Sequence, residues 1–221
     1  GRLNFKEILR SYLVILLAPF LLLGPMLVRG QALFWGTPAL QFVPWWWQIW
    51  QELRNGILPL WNPNSGLGSP LLANYQTAFF YPPNWLLLGM AALGGPSAVA
   101  WGYTLLAAVH LAWAGLGMAL LLRRHSLRWL GQIIGGLTFG LSGYIVGRLG
   151  FFSMVWAAAW LPWIIYCVDQ ITGCAASSNS RQSCRIYLSL SLTGCLAMQL
   201  LAGHAQLTWY TCLLAAMWAT V

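Results

Sequence analysis

An all-α fold is predicted: a polytopic transmembrane helix bundle with a large first extracytoplasmic loop that carries an interfacial helix. Three observations lead there. Of the 221 residues, 59% are hydrophobic and only 6% charged, whereas soluble domains carry roughly a quarter charged residues. Several apolar runs approach the roughly 20 residues needed to cross a hydrocarbon core of about 30 Å. The basic residues stand at the ends of these runs, as topology determinants do. A net charge of +8 distributed in this way points to membrane orientation and away from nucleic acid.

The first span is expected at about 11–28, with Pro19 and Pro25 inside it as kinks that neighbouring helices can accommodate. A connector of roughly 50 residues follows, a length that is usually functional or disordered. This one is too aromatic to be disordered. Within it, 41–55 reads as an amphipathic helix: Leu40, Val43, Trp47, Trp50 and Leu53 recur at steps of three or four, with Gln41, Gln48, Gln51, Glu52 and Asn55 largely elsewhere. Trp45, Trp46, Trp47 and Trp50 suit the headgroup region, where an indole buries its ring and keeps its N–H wet. The helix is therefore expected to lie along the interface.

The tract 56–84, GILPLWNPNSGLGSPLLANYQTAFFYPPN, combines five prolines with Asn62, Asn64, Ser65, Asn74, Gln76, Tyr81 and Asn84. Its irregular backbone would leave amides unpaired in hydrocarbon, so it belongs on one membrane face. The run 85–93 is too short to span, and Gly94-Gly95-Pro96 breaks it. Further spans are expected at about 98–122, 129–146, 151–168, 186–201 and from 207 onward. The tight basic loop Arg123, Arg124, His125 and Arg128, the polar loop 169–185, and the turn Ala202-Gly203-His204-Ala205 separate them. Gly135, Gly136, Gly140 and Gly143 read as close helix packing. No strand precedes them, as a phosphate loop would require. The chain opens at Gly1 and ends at Val221 inside an apolar run. It reads as one transmembrane domain, 1–221, from the N-terminal part of a longer protein, with its first outer loop at 29–84.

Alternating the spans places Arg2, Lys6, Arg10, Arg123, Arg124, Arg128, Arg181 and Arg185 on one side and Arg29, Arg54 and Arg148 on the other. Positive residues favour the cytoplasm. The expected topology is thus a multi-pass plasma-membrane protein with its N-terminus inside and its long loop outside. Five cysteines, Cys167, Cys174, Cys184, Cys195 and Cys212, show neither metal spacing nor a disulfide framework.

This topology collects Gln41, Glu52, Asn62, Asn74, Gln76, Tyr81, Arg148, His204 and Gln206 on the outer face. Convergent polar groups over an apolar body describe a binding site. Each residue type has a plain alternative. Glu52 beside Arg54 reads as a solvated helix charge or as a base. His204 can cap a helix or act on substrate. Arg148 can be a topology residue or a planar partner for phosphate. Asn62, Asn74 and Gln76 can grip hydroxyls through paired donors and acceptors, or pin the loop's own turns. His110, inside a span, reads as a helix–helix hydrogen bond.

The segments GTPALQFVPWW, GILPLWNPNSGLGSPLLANYQTAFFYPPNWL, LTFGLSGYIVGRLGFFSMVWAAAWLPWI and QLLAGHAQLTWY resemble, in order, the YfhO-like family of bacterial polytopic membrane proteins. Its most specific parts are the WNP…FYP tract, the LSGY turn and the GH.Q turn. That family in turn resembles the C-type (GT-C) membrane glycosyltransferases, which transfer a sugar from a polyprenyl-phosphate carrier to an acceptor outside the cytoplasm. The resemblance implies a bacterial plasma-membrane enzyme that decorates a cell-envelope polymer. The residues themselves offer His204 and Glu52 as candidates for catalysis, neither standing where the family pattern puts its acid, and Gln41, Asn62, Asn74, Gln76, Tyr81, Arg148 and Gln206 as candidates for substrate binding. Such transferases usually place an acid early in the first outer loop, and here 36–41 has no carboxylate. No cofactor is expected, and a divalent metal is an alternative that this sequence does not support, because hard cations usually take carboxylate oxygens. Glu52 and His204 are left to accept the acceptor's proton. Two other classes compete: a transporter or flippase of lipid-linked precursors, whose site would lie near mid-membrane on broken helices, and a non-catalytic membrane scaffold.

Overall fold

The computed structural model describes residues 5–176 and 182–220, with side chains from 12–174, 182 and 185–220. Arg2 and Arg181 lie outside the described residues, as do the side chains of Lys6, Glu7, Arg10 and Cys184.

The described chain is helical apart from one short hairpin and the turns and irregular stretches that join the elements, most of them in the connector. Its helices are α1 (Phe5–Val28), α2 (Val43–Arg54), α3 (Leu86–Arg124), α4 (Trp129–Gly140), α5 (Gly143–Val146), α6 (Phe152–Ala176), α7 (Gln182–Leu201) and α8 (Ala205–Trp218). Three stretches, Pro82–Arg124, Trp129–Val146 and Phe152–Cys174, are long and apolar enough to cross a membrane; Tyr12–Val28 and Arg185–Leu201 are shorter apolar helices. The outward faces of α1, α4, α7 and α8 present Leu17, Leu21, Ile134, Leu190, Leu200 and Leu213 to the surroundings. Apolar surface this continuous is what lipid tails cover.

Helix α1 runs without a break through Pro19 and Pro25. In α3 the expected break is present: Gly94 and Gly95 leave helical geometry, Gly95 at φ +65° and ψ −153°, a region open to a residue without a Cβ. The polar stretch expected as a loop from Asp169 is instead helical to Ala176. Its side chains serve the helix: the Thr172 hydroxyl donates to the Asp169 carbonyl and Gln170 Nε2 to the Tyr166 hydroxyl.

α3 is the central post, packed by α1, α2, α4 and α6. Against α4 the backbones touch. A Cβ on Gly115 would lie 2.9 Å from the Gly136 carbonyl oxygen, and one on Gly136 2.8 Å from that of Gly115. Small residues permit this approach where apolar burial gives no drive between helices in lipid. Against α6 the seam is aromatic. Tyr103 stacks on Phe152 (centroids 4.3 Å apart), His110 on Trp156 (4.1 Å) and Trp113 on Trp163 (4.0 Å).

Two ends of the bundle are distinct. At one, Arg123 donates to the Tyr12 hydroxyl, and Asp169 accepts from Arg124 Nε (2.8 Å) and Trp218 Nε1 (3.3 Å), joining α3, α6 and α8. At the other, Trp101 Nε1 donates to the Leu27 carbonyl and the Leu33 N–H to the Thr104 hydroxyl, fastening the start of the connector to α3. The long connector, the α5–α6 turn and the α7–α8 turn all lie at this second end: a Cβ on Gly150 would meet Pro38, and Gly203 abuts Tyr75.

Candidate functional site

The connector is ordered from within. A wide turn at Pro38–Phe42, in which the Val43 N–H reaches the Pro38 carbonyl, leads into α2. The inward stripe of α2 differs from the expected one. Val43, Trp46 and Ile49 are buried, while Leu40 is 79% exposed. Full burial of a Val or Ile side chain contributes about 1.5–3 kcal/mol. The displacement has a hydrogen-bond cause: Trp46 Nε1 donates to the Thr77 carbonyl at 2.9 Å, and its ring stacks on Phe79. An indole whose N–H has a partner can be buried whole.

Beyond α2, strands β1 (Trp61–Asn62) and β2 (Ser69–Pro70) pair antiparallel. Asn62 Oδ1 accepts the Asn64 N–H, and Asn74 Oδ1 accepts the Gln76 N–H. Both are side-chain turn closures of the kind Asn favours. Asn74 caps a 3₁₀ turn at Tyr75–Thr77, and that turn meets the distant chain. Gly203, at φ +86°, lies directly against the Tyr75 carbonyl. Gln199 sets this junction from beneath, donating to the Ala157 carbonyl (2.9 Å) and the Thr211 hydroxyl (3.0 Å), which ties α7 to α6 and α8.

Where these elements meet, a cavity of about 310 Å³ is lined by Thr37, Gln41, Gln76, Ser153, Met154 and His204, with Phe42 and Phe151. Three sequence-predicted residues, Gln41, Gln76 and His204, thus come together from the wide turn, the 3₁₀ turn and the α7–α8 turn. The starts of α6 and α8 border the same space, and helix N-termini favour negative charge.

His204 is the N-cap of α8, and its Nδ1 accepts the Leu207 N–H at 3.2 Å. With Nδ1 committed as an acceptor, the neutral ring carries its proton on Nε2. Burial holds its pKa below the ordinary value, partly opposed by a backbone hydrogen bond. In this geometry His204 offers an N–H donor; acting as a base would require breaking its cap.

A second cavity, about 360 Å³, adjoins the first through Gln41. Leu40, Pro44, Trp45, Trp47, Gln48, Gln51, Asn62, Asn64 and Ser65 complete its lining. Glu52 lines neither cavity. Its Oε1 accepts from Gln48 Nε2 at 2.8 Å, and the same nitrogen lies 3.1 Å from the Trp61 carbonyl.

The remaining predicted residues stand elsewhere. Tyr81 is 1% exposed and lines neither cavity. Its hydroxyl meets His110 Nε2 at 2.8 Å and accepts from Trp160 Nε1 at 2.9 Å. Since His110 Nδ1 lies 2.7 Å from the Leu106 carbonyl and must donate to it, Tyr81 donates to Nε2. Burial pushes the Tyr81 hydroxyl well above the usual phenol range, the Trp160 bond opposing. His110, expected to bond another helix, bonds the loop. Asn84 is spent similarly, accepting from Trp156 Nε1 at 2.9 Å. Asn74 caps its turn. The Arg148 guanidinium lies 4.2 Å over the Tyr144 ring, on the turn that leads to Phe151. Gln206 is exposed and donates to the Tyr210 hydroxyl.

Thr37, one of the polar residues the connector was expected to bring to this face, joins the lining, whereas Ser153 is a lining residue that the sequence did not single out. The stripe Gln41, Gln48 and Gln51 was legible as the polar side of α2, and Ser153 sits in the aromatic FFSM run, where nothing marks it as facing a cavity. Among the described residues, no group of three or more His, Cys, Asp or Glu could hold a metal ion.

Fold and site define an all-helical membrane protein whose longest connector builds two polar cavities at one end of the bundle. Comparison with protein-family models, curated proteins and solved structures finds no match.

Proposed function

We propose that the chain is the catalytic membrane domain of a C-type glycosyltransferase, taking a sugar from a polyprenyl-phosphate donor and delivering it to an extracytoplasmic acceptor. The observation that carries this reading is the cavity where Gln41, Gln76 and His204 converge from three separated segments. Its position at a bundle end, beside apolar outer helices, supports a substrate with a polar head and a lipid tail. The mid-bundle α3–α6 seam is filled by stacked rings, which favours an end-on site over a transport path.

The basic end, with Arg123, Arg124 and Arg128, faces the cytoplasm of a bacterial plasma membrane, and the cavities face outward. The transfer is a displacement at the anomeric carbon. An acceptor hydroxyl oxygen forms the new C–O bond, and the bond from that carbon to the phosphate oxygen breaks. The phosphate leaves with the electron pair, and the hydroxyl proton passes through water to Glu52, which lines neither cavity. His204 Nε2–H and the first turns of α6 and α8 stabilise the departing charge. Gln41 and Gln76 orient the sugar through their amides.

The test is transfer by purified protein in nanodiscs, with a panel of radiolabelled polyprenyl-phosphate hexoses and cell-envelope polymer as acceptor. His204→Asn keeps a helix cap while removing the imidazole. Loss of label transfer in His204→Asn and Gln76→Ala, with unchanged elution and melting, supports the reading. Transfer undiminished in both variants, or none from any donor by the wild type, rejects it.

A further inference from the structure

The second cavity lies on the solvent side of α2, and its chemistry differs from that of the His204 cavity. No charged side chain lines it. Its polar members are amides and one hydroxyl: Gln41, Gln48, Gln51, Asn62, Asn64 and Ser65. An amide side chain offers both donors and acceptors, which matches a ligand whose hydroxyls do both. It does not match a phosphate, which wants cations and N–H groups only. Trp45 and Trp47 supply indole surface in the same lining, and Trp47 is held in place by stacking on Trp50 at 4.9 Å.

Most of these groups are unspent. Gln48 is committed to Glu52 and the Trp61 carbonyl. Gln41, Gln51, Asn64 and Ser65 make no side-chain hydrogen bond within the described residues. Asn62 is 6% exposed and spends Oδ1 on the Asn64 N–H, while its amide nitrogen makes no hydrogen bond within the described residues and is left for a ligand. The nearby cation is diverted, since the Arg54 guanidinium lies 4.7 Å over the Trp50 ring.

We infer that this amide-and-tryptophan cavity binds an uncharged saccharide, the acceptor end of the reaction, next to the donor cavity and joined to it by Gln41. Its volume of about 360 Å³ lies within the range of roughly 300–1,000 Å³ usual for small-ligand sites. Gln48, one of the lining amides, donates to Glu52 at 2.8 Å, which sets the acid behind the cavity wall and not in its lining. The inference rests on the sugar-transfer reading for the word acceptor, but the binding itself does not.

The experiment measures binding, not turnover. Protein in nanodiscs, free of glycoside detergents, is titrated calorimetrically with neutral linear hexasaccharides (malto-, cello- and chitohexaose) and with a polyanionic oligosaccharide as contrast. At least one neutral saccharide is expected to bind, with Gln51→Ala and Asn64→Ala each weakening it about tenfold, the loss of one to two hydrogen bonds. His204→Asn is expected to leave that affinity unchanged. Asn64 is exposed, so its variant folds even where the Gln51 one does not. Absence of binding by all three neutral saccharides, preference for the polyanion, or wild-type affinity in Asn64→Ala overturns the inference. Saccharide binding without any sugar transfer would sink the enzymatic reading and leave the saccharide site standing.

Discussion

Gly203 rests directly on the carbonyl oxygen of Tyr75, joining two turns that are 128 residues apart in the chain. This contact closes the cavity, because it sets His204 beside Gln76. A methyl at Gly203 has no space, and φ +86° disfavours any L side chain there. Gly203→Ala should destabilise the protein by about 1–3 kcal/mol through overpacking and should part the two turns. A fall in the thermal midpoint, together with faster labelling of a cysteine introduced at Gln76, would register both effects.

The His204 cap predicts an acid-sensitive turn. The unfolded imidazole takes up a proton near its ordinary pKa of about 6.5, whereas burial lowers the folded value. Below pH 6.5 the unfolded state therefore binds more protons than the folded one, so stability falls as pH drops. The cap's contribution is fully present above 6.5 and is lost as pH falls through the lowered folded value. In the proton-saturated ring Nδ1 can no longer accept the Leu207 N–H. Melting curves between pH 7.5 and 5 should show a slope for the wild type that His204→Asn flattens, since Asn caps without titrating.

Tyr81 is predicted to act in stability and not in binding. Tyr81→Phe keeps the ring but strips the partner from both His110 Nε2 and Trp160 Nε1. Leaving buried polar atoms unpaired costs about 1–3 kcal/mol. Thermal unfolding should report that loss, and a double-mutant cycle with Trp160→Phe should show strong coupling. Saccharide affinity should stay at the wild-type level.

The clasp at the opposite end should matter less. The Arg124 and Asp169 side chains are 37% and 15% exposed, and such surface pairs contribute about 0–1 kcal/mol. Asp169→Asn should lower stability by less than about 1 kcal/mol, with the difference shrinking in high salt. The transfer and saccharide binding that we propose for the far end of the bundle should be unaffected in the same preparations.

Composition and hydropathy were enough to expose the helices, because a membrane helix must satisfy its own backbone and present apolar side chains over a set length. The break at Gly94-Gly95 was readable for the same local reason. So was the α3–α4 approach, where Gly135, Gly136 and Gly140 meet Leu122, Gly115 and Leu111 of α3, although Gly143, expected with them, has open space at its Cβ. The extent of α6 was not readable: Asp169, Gln170 and Thr172 look like loop until their hydrogen bonds within the helix and to α3 and α8 are known.

The site divides along the same line. The kinds of residue it uses, amides, prolines and one histidine in turn-rich words, stand out in the chain as written. Which of them share a space does not. Tyr81 and Asn84 carry the same local signature as Gln76, yet α6 tryptophans draw the first two into the core and leave Gln76 at the cavity. Trp46, not Trp47 or Trp50, turned inward because the Thr77 carbonyl, 31 residues away, offered its N–H a partner. Local sequence determined which segments are helix and which are turn, since those depend on near neighbours along the backbone. Tertiary structure alone decided which polar groups are spent and which stay free, since each hydrogen bond is settled by whatever the fold brings within about 3 Å.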